Sequence, residues 1–172
     1  GTDDEPLEIE RTDRGVVVSR WISGNLPSPY YADLVKFDGN CDRLQHYEMC
    51  LPAIALNKSI YTPEGTGGPS KPYVKKTYVN ISYNFMTPID EDNTRYFWFQ
   101  HRNTDPNNKE ISEKMNAGAV MAFEEDRAVL EDVHLGMKNP VTPNIDLGLD
   151  SGAKQFRLML QRKIQEEQKN TS

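Results

Sequence analysis

The sequence predicts an α+β fold in which an antiparallel sheet grips a long C-terminal helix. Residues 15–103 contain several short runs of β-branched and aromatic residues separated by Gly, Pro and Asp, which is the pattern of consecutive strands. From about residue 109 the apolar residues recur every three or four positions, which indicates a helix. A second amphipathic stretch follows near the C-terminus. Strands that all precede the helices favour α+β over an alternating parallel architecture.

The first part of the chain predicts three strands. The run GVVVSRWISG at 15–24 is closed by glycines, RLQHYEMCLP at 43–52 alternates and ends at a proline, and AIALNKSIYTP at 53–63 is a further candidate. The connection between the first two is turn-rich, with one helical turn expected from Tyr31 to Val35. Residues 64–72, EGTGGPSKP, predict an irregular, mobile loop because this Gly/Pro-rich stretch cannot form a regular ladder.

An antiparallel hairpin is the strongest β signal. Two alternating sets of side chains are predicted to face opposite sides of its first strand: Val79, Ile81, Tyr83 and Phe85 on one side, and Asn80, Ser82, Asn84 and Met86 on the other. The acidic turn DEDNT follows, and RYFWFQHRN runs back. Because large side chains occur on both faces, we expect this sheet to be covered on one side and to wrap a cavity on the other.

The long helix is predicted from about Lys109 to His134, and its apolar stripe contains one acid. The stripe passes through positions 111, 115, 119, 122, 126, 130 and 133, and position 126 is Asp. This spacing aims Asp126 inward, where an unpaired carboxylate costs several kcal/mol. An arginine, backbone donors or a metal should therefore compensate it. The alternative is an acid at the margin of the stripe, solvated or paired to Arg127 or Arg95.

The final helix is predicted from about Ser151 to Gln168. Its apolar stripe consists of Phe156, Leu160 and Ile164, with Met159 alongside. The segment NPVTPNIDLG at 139–148 separates it from the long helix through two prolines.

Composition limits the classes of function. The 172 residues suit one domain, with 37% hydrophobic and 27% charged residues. No apolar run approaches the roughly 18 residues of a membrane helix. The net charge of −6 and the absence of a basic stripe argue against nucleic-acid binding. Cys41 and Cys50 are too few for a disulfide scaffold and are expected to be inert thiols in a cytoplasmic protein.

Three linked motifs resemble one family. The stretch FMTPIDEDNTRYFWFQHRN is similar to the "TPE–turn–hYFW–RN" hairpin of Rieske oxygenases of the vanillate O-demethylase and dicamba monooxygenase group. AFEEDRAVLEDVH resembles their "EDxxxLE" helix, and LDSGAKQFRLMLQRKIQEEQ resembles their closing "D.A...RR.L..LI..E" helix. The resemblance spans roughly Val16 to the end. It implies a helix-grip (START-like or TBP-like) fold, and it makes residues 1–172 one domain, the C-terminal part of the oxygenase catalytic domain.

The resemblance also implies a metal centre that this chain does not complete. Family members hold a mononuclear Fe(II) with two histidines and one carboxylate, and receive electrons from a Rieske [2Fe–2S] cluster. By motif, Asp126 takes the place of the carboxylate ligand. His46, His101 and His134 are each isolated, and the CxH and CxxH cluster motifs are absent. We expect that the histidine helix and the Rieske domain lie outside this chain, and that the chain alone binds iron weakly and has no turnover.

The implied reaction is hydroxylation or O-demethylation of an aromatic small molecule with O₂. The electrons come from NADH through a reductase or ferredoxin, and full-length members commonly form homo-oligomeric rings, here expected to be a trimer. The candidate substrate-binding residues are Asn84, Met86, Phe97 and Phe99. The competing role of the aromatic residues is core packing. The competing interpretation of Asn84 is an exposed amide in a sheet. Arg102 and Asn103 match the family's "RN" and are interpreted as structural. The alternative function is a non-enzymatic helix-grip domain that binds an apolar ligand.

Overall fold

A computed structural model describes residues 5–139 and 145–171 of the chain, and it divides them into two compact units. The first unit contains the sheet and the last helix, and the second comprises residues 105–145. Each is described by itself below. Neither helix has the length together with the apolar character that crossing a bilayer requires, as far as the described residues go.

The first unit is a meander of six strands followed by a helix. The strands are β1 (Glu8–Arg11), β2 (Gly15–Asn25), β3 (Cys41–Cys50), β4 (Ile54–Pro63), β5 (Tyr78–Pro88) and β6 (Thr94–Arg102). They form one antiparallel sheet in the order β1-β2-β3-β4-β5-β6. A short 3₁₀ turn, Gly148–Asp150, leads into the helix α2 (Ser151–Thr171).

The predicted strands and their alternation are confirmed. In the hairpin, Asn84 lies opposite Trp98 and Phe85 opposite Phe97, so the two sets of side chains face opposite sides as expected. Asp90 closes the turn by accepting hydrogen bonds from the backbone amides of Asp92 and Asn93. β1 was not predicted, because EIER is a short, charged edge strand without an alternating apolar pattern.

The two faces of the sheet are defined by α2. Gly152 lies so close to Val18 that a Cβ built on it would stand 2.3 Å from a Val18 methyl group. We call the face that carries Val18 the helix face, and the other the opposite face. Since directly paired antiparallel residues share a face, the register assigns every strand position to one of them.

The helix α2 covers only one end of the helix face. Phe156 and Leu160 are half-buried, whereas Ile164 is 45% exposed. The predicted stripe therefore packs in its first half only. The Arg11 side chain on β1 adds a hydrogen bond of 2.7 Å from its Nε to Oε1 of Gln155. The helix-grip class is confirmed, with the contact made chiefly against β2.

The second unit contains the long helix α1 (Lys109–Lys138), which ends four residues later than predicted. Asn108 caps it by accepting a hydrogen bond from the Ile111 amide. Of its predicted stripe, Met115 and Ala119 are buried, but Leu130 is 66% exposed. The apolar pattern thus continues into a part of the helix whose side chains are exposed. The two prolines that were predicted to separate the helices, at 140 and 143, lie outside the described residues.

Candidate functional site

A row of polar side chains is buried on the helix face of β5. Tyr78, Asn80, Ser82 and Asn84 alternate along this strand, and each is at most 6% exposed. A core strand normally buries apolar side chains at such positions, because a polar group without a partner loses its hydration. A row of buried polar side chains along one strand therefore indicates a place where these groups are expected to find hydrogen-bond partners.

Much of this row lacks partners. The hydroxyl groups of Tyr78 and Ser82 and the Oδ1 atom of Asn80 make no hydrogen bond within the described chain, and the same holds for Nε of Arg43 on β3. Each of these atoms lies on the helix face. On the opposite face, the Thr62 hydroxyl is in the same condition. Buried groups of this kind are rare in folded proteins and are expected to meet water or a ligand.

The charges on this face all have one sign. Arginines occupy four of its strand positions, Arg11, Arg20, Arg43 and Arg102. The strand acids, Glu8, Glu10, Asp42 and Glu48, all lie on the opposite face, so no Asp or Glu occurs on the helix face within the six described strands. For a chain with a net charge of −6, this segregation makes the helix face suited to a ligand that accepts hydrogen bonds or carries negative charge.

Two clefts open on the helix face. A cleft of about 330 Å³ lies beneath α2 and is lined mainly by apolar groups such as Val16, Met49 and Phe156. A second, of about 190 Å³, lies beside Arg43 and Tyr61. The Arg43 guanidinium stands 5.1 Å from the centre of the Tyr61 ring. The helix face thus combines apolar room with a small set of polar groups, which is the usual composition of a ligand pocket.

Tyrosines close one end of the row. Tyr61 on β4 and Tyr78 on β5 are 0% and 1% exposed, and burial raises the pKa of both phenols, which therefore stay protonated. Tyr31, from the connection between β2 and β3, packs its ring 5.3 Å from Tyr61 and 5.6 Å from Tyr78. The predicted helical turn is present there, since the Val35 amide bonds to the Tyr31 carbonyl.

The structure separates the four predicted substrate-binding residues. Asn84 and Met86 lie on the helix face, whereas Phe97 and Phe99 lie on the opposite face and are 55% and 43% exposed. Asn84 is buried, not an exposed amide: its Nδ2 donates to the Ala55 carbonyl at 3.2 Å, and its Oδ1 accepts from the Tyr96 hydroxyl at 2.5 Å. The role of all four stays a prediction, but they do not line one pocket.

Asp126 does not point into a core. The expectation of an inward carboxylate is wrong in this structure, because Asp126 lies on the exposed half of α1. Helical spacing determined which residues share a stripe, but not what covers it. The adjacent Arg127 pairs with Glu124 at 3.0 Å and Glu131 at 3.2 Å. Its role as a metal ligand stays a prediction.

The residues that the structure describes do not form a complete iron site. Among the described residues, no group of three or more His, Cys, Asp or Glu side chains is arranged to hold a metal ion. Nε2 of His46 lies 3.4 Å from Oε2 of Glu48, and the His101 ring packs edge-on against Tyr83 and tilted against Phe99. The described residues thus do not supply a complete metal site by themselves, and no reaction step through the metal follows from them.

The opposite face carries a larger groove in which Glu48 is hydrogen-bonded to neighbouring side chains. A groove of about 590 Å³ there is lined by Glu48, Cys50, Tyr83 and Phe85 among others. Glu48 accepts hydrogen bonds from Cys50 and Lys58 at 3.3 and 3.4 Å. Burial and this contact raise the pKa of Cys50, and burial raises the pKa of Cys41, so both remain thiols, consistent with inert cysteines.

The end of the hairpin agrees with a structural role for the "RN" pair. Asn103 accepts a hydrogen bond from the Val79 amide at 2.9 Å and donates one to the Thr77 carbonyl at 2.7 Å. Arg102 donates from Nε to the Thr104 carbonyl at 2.9 Å. The Asn103 bonds hold the start of β5 against the end of β6, and the Arg102 bond is local to the chain that leaves β6.

Comparison with known proteins decides the family. The model of the family described as the vanillate O-demethylase oxygenase C-terminal domain matches residues 1–166. This chain belongs to that family. Among curated relatives, a putative toluene-4-sulfonate monooxygenase system iron-sulfur subunit from Comamonas testosteroni is 30% identical over 168 residues, which are 96% of this chain and 49% of the relative. A vanillate O-demethylase oxygenase subunit from a Pseudomonas strain is 24% identical over 96% of this chain and 52% of the relative.

The fold is shared with a solved oxygenase. Dicamba monooxygenase, in its complex with 3,6-dichlorosalicylic acid, superposes with a TM-score of 0.80 at 20% identity, over 96% of this chain and 48% of that one. At this identity the likeness establishes the fold. The chain spans about half the length of the curated relatives it matches. The family that the sequence motifs indicated is thus confirmed.

Sequence reasoning missed the tyrosine cluster. Tyr31, Tyr61 and Tyr78 lie on three different elements, and nothing local relates them. A usable signal existed only at Tyr78, which continues the alternating set Asn80, Ser82, Asn84 by one step toward the N-terminus.

Proposed function

We propose that this chain is the C-terminal part of the catalytic domain of a Rieske non-haem iron oxygenase that hydroxylates or O-demethylates an aromatic small molecule with O₂ and NADH-derived electrons. The observation that supports substrate binding is the buried polar row on the helix face. Its unpaired atoms lie on a face that has no Asp or Glu within the six described strands. Family membership carries the oxygenase side. The binding-module alternative is not favoured, because the relatives named above are oxygenase components.

Within this reaction, the residues of the chain would bind and orient the substrate. The apolar cleft beneath α2 would exclude water from an aromatic ring, and the polar row would direct its substituents. Iron, when bound, would supply the activation of O₂. The histidine ligands and the [2Fe–2S] domain would be contributed by a part of the protein outside residues 1–172, and a cytoplasmic reductase or ferredoxin would deliver electrons. A homotrimer of full-length chains is part of the same proposal.

Asp126 is the one residue proposed to contact the metal. Its support is the motif AFEEDRAVLEDVH together with the family match, not its surroundings. The exposed side chain is compatible with this role. In the proposal the histidine ligands come from a part of the protein outside residues 1–172, so Asp126 need not be buried when that part is absent. The chain alone should then hold iron weakly.

The test uses the full-length protein and counts iron. Asp126→Ala should remove the mononuclear iron while the visible absorption of the [2Fe–2S] cluster is retained, since the cluster has its own ligands. Glu125→Ala, a neighbouring exposed acid, is the matched control and should retain both metals. Full mononuclear iron in Asp126→Ala would refute the proposed ligand, and a full-length protein with neither iron nor cluster would refute the oxygenase proposal.

A further inference from the structure

A small cleft on the helix face is lined by one charged side chain. The cleft has a volume of about 190 Å³, and Arg43 is the only charged residue among those that line it. Ile22, Cys41 and Tyr61, each at most 2% exposed, form its buried floor, and Leu26, which is 73% exposed, also lines it. The cleft shares no lining residue with the cleft beneath α2. It is therefore a separate space, mostly apolar, with a single positive charge.

The Arg43 guanidinium makes no hydrogen bond and no ion pair within the described chain. Its Nε atom is buried and lacks an acceptor, and its central carbon atom lies 5.1 Å from the centre of the Tyr61 ring. An arginine stays charged and carries five N–H donors, and a contact with an aromatic ring gives these donors no acceptor oxygen. Because a charge that is partly withdrawn from water is costly without a partner, we expect an anion beside Arg43.

The neighbouring acids do not supply this anion. Asp42 faces the other side of the sheet, where its carboxylate accepts hydrogen bonds from the amides of Gly24 and Gly65. The Glu64 carboxylate lies against Gly24. Neither acid forms an ion pair with Arg43. The partner of Arg43 is therefore expected to come from outside the described chain.

The other polar side chains of the cleft are already hydrogen-bonded. The hydroxyls of Ser28 and Tyr61 lie 2.9 Å apart, and the Cys41 thiol donates to the Asn25 carbonyl at 3.1 Å. The cleft thus suits a ligand with one anionic group and an otherwise apolar body. A carboxylate matches the planar fork of an arginine, which binds it through two parallel hydrogen bonds. Since pockets for drug-sized ligands begin at roughly 300 Å³, this cleft suits a ligand of about one ring.

We propose that the cleft is a binding site for a small aromatic carboxylate, whose anionic group pairs with Arg43 while its ring lies against Ile22 and Tyr61. The site goes beyond the proposed function, which uses the cleft beneath α2 and the polar row, and it requires neither iron nor turnover. An Asp or Glu side chain from the rest of the protein carries the same anionic group, so the test separates a free ligand from such a side chain.

The test measures ligand binding to the full-length protein by isothermal titration calorimetry, so its failure is distinct from a failure of the oxygenase proposal, which is tested by iron content. Benzoate is the probe, benzamide is its uncharged analogue of nearly the same shape, and acetate carries the carboxylate without the ring. Arg43→Met removes the charge and retains an apolar side chain. Arg162→Met removes an exposed arginine from α2, changes the net charge equally and is the matched control.

We expect benzoate to bind the unaltered protein at least about ten-fold more tightly than benzamide or acetate, because the ion pair and the apolar wall both contribute. Arg43→Met should weaken benzoate binding at least about ten-fold, whereas Arg162→Met should leave it within about two-fold. Arg43→Lys, which keeps the charge without the fork, should give an intermediate affinity.

Equal binding of benzoate and benzamide, equal binding of benzoate and acetate, or equal affinities of Arg43→Met and Arg162→Met for benzoate overturns the proposal. Absence of benzoate binding to the full-length protein also overturns it, because the cleft would then be filled by another part of the protein. The melting temperatures of the unliganded variants are compared first. If Arg43→Met does not fold, Arg43→Gln is titrated in its place under the same criteria.

Discussion

The helix face and the opposite face of the sheet are made from the same six strands, yet buried polar atoms without a partner within the described chain are concentrated on the helix face, and Thr62 is the exception on the opposite face. On the opposite face, buried Asp42 accepts hydrogen bonds from the amides of Gly24 and Gly65. On the helix face, Asn80 and Ser82 are equally buried but retain unpaired atoms. A polar group that the fold itself satisfies contributes to structure, whereas one left unpaired in a cleft is available to a ligand.

The difference between the two faces is tested most directly at the tyrosine cluster. Tyr61→Ala should reduce the free energy of unfolding by about 3–5 kcal/mol, because it empties a fully buried aromatic site on the helix face and removes the bond to Ser28. Phe97→Ala, on the opposite face and 55% exposed, should cost less than about 1 kcal/mol. Urea denaturation of both variants measures the difference. Equal losses would mean that both faces are covered in solution.

Asp42 tests how much the hydrogen bonds to a buried carboxylate on the opposite face contribute to stability. Its carboxylate bonds to the amides of Gly24 at 3.1 Å and Gly65 at 2.9 Å, two glycines with φ of 68° and 71° that present their amides to it. Asp42→Ala should cost about 1.5–3 kcal/mol, since two backbone amides lose the buried carboxylate that accepts their hydrogen bonds. The exposed Asp38→Ala should lie within about 0.5 kcal/mol of the unaltered chain. A loss for Asp42→Ala no larger than that of its control would contradict this account.

The smallest expected effect is a pH dependence from the opposite face. Burial and the charge of Lys58 lower the pKa of His46 below its ordinary value of 6.5. The unfolded chain therefore takes up a proton first, and the free energy of unfolding should fall as the pH drops through about 6.5. His46→Gln should remove this fall.

Glu48 should give a separate step at lower pH. Burial alone would raise its pKa, but the contacts from Cys50, His46 and Lys58 outweigh burial and lower the pKa below 4.5. Its stabilising contribution is present above that value and is lost as the pH falls through the lowered pKa. Thermal melts between pH 8 and pH 3, compared for the unaltered chain and His46→Gln, separate the two steps. An unchanged profile in His46→Gln would assign the first step to another group.

Sequence reasoning reached the fold because its signals are local. Alternation along β5 placed Asn80, Ser82 and Asn84 on one face, and the register with β6 agrees. The helical period likewise placed Met115 and Ala119 on the buried side of α1. The same reasoning was wrong for the surroundings of Asp126, because a period assigns residues to a stripe without showing where the covering partner ends.

The pocket was less accessible to sequence reasoning. Grouping Phe97 and Phe99 with Asn84 ignored the consequence of pairing, which puts odd and even positions of β6 on opposite faces. The segregation of every strand acid away from the helix face could have been read from the sequence only after the register of all six strands was known. A one-residue shift in the register of any strand would move each of its side chains to the other face of the sheet.

The order of strands and helices, the two-sided pattern of the hairpin and the family motifs were thus determined by the sequence alone, because each depends on residues within about ten positions of one another. Only the tertiary structure decided that Tyr31 lies against Tyr61 and Tyr78 and bonds to Asn80, 49 residues away. Contacts between distant segments depend on how strands pair and where loops return, and no local pattern of side chains records that geometry.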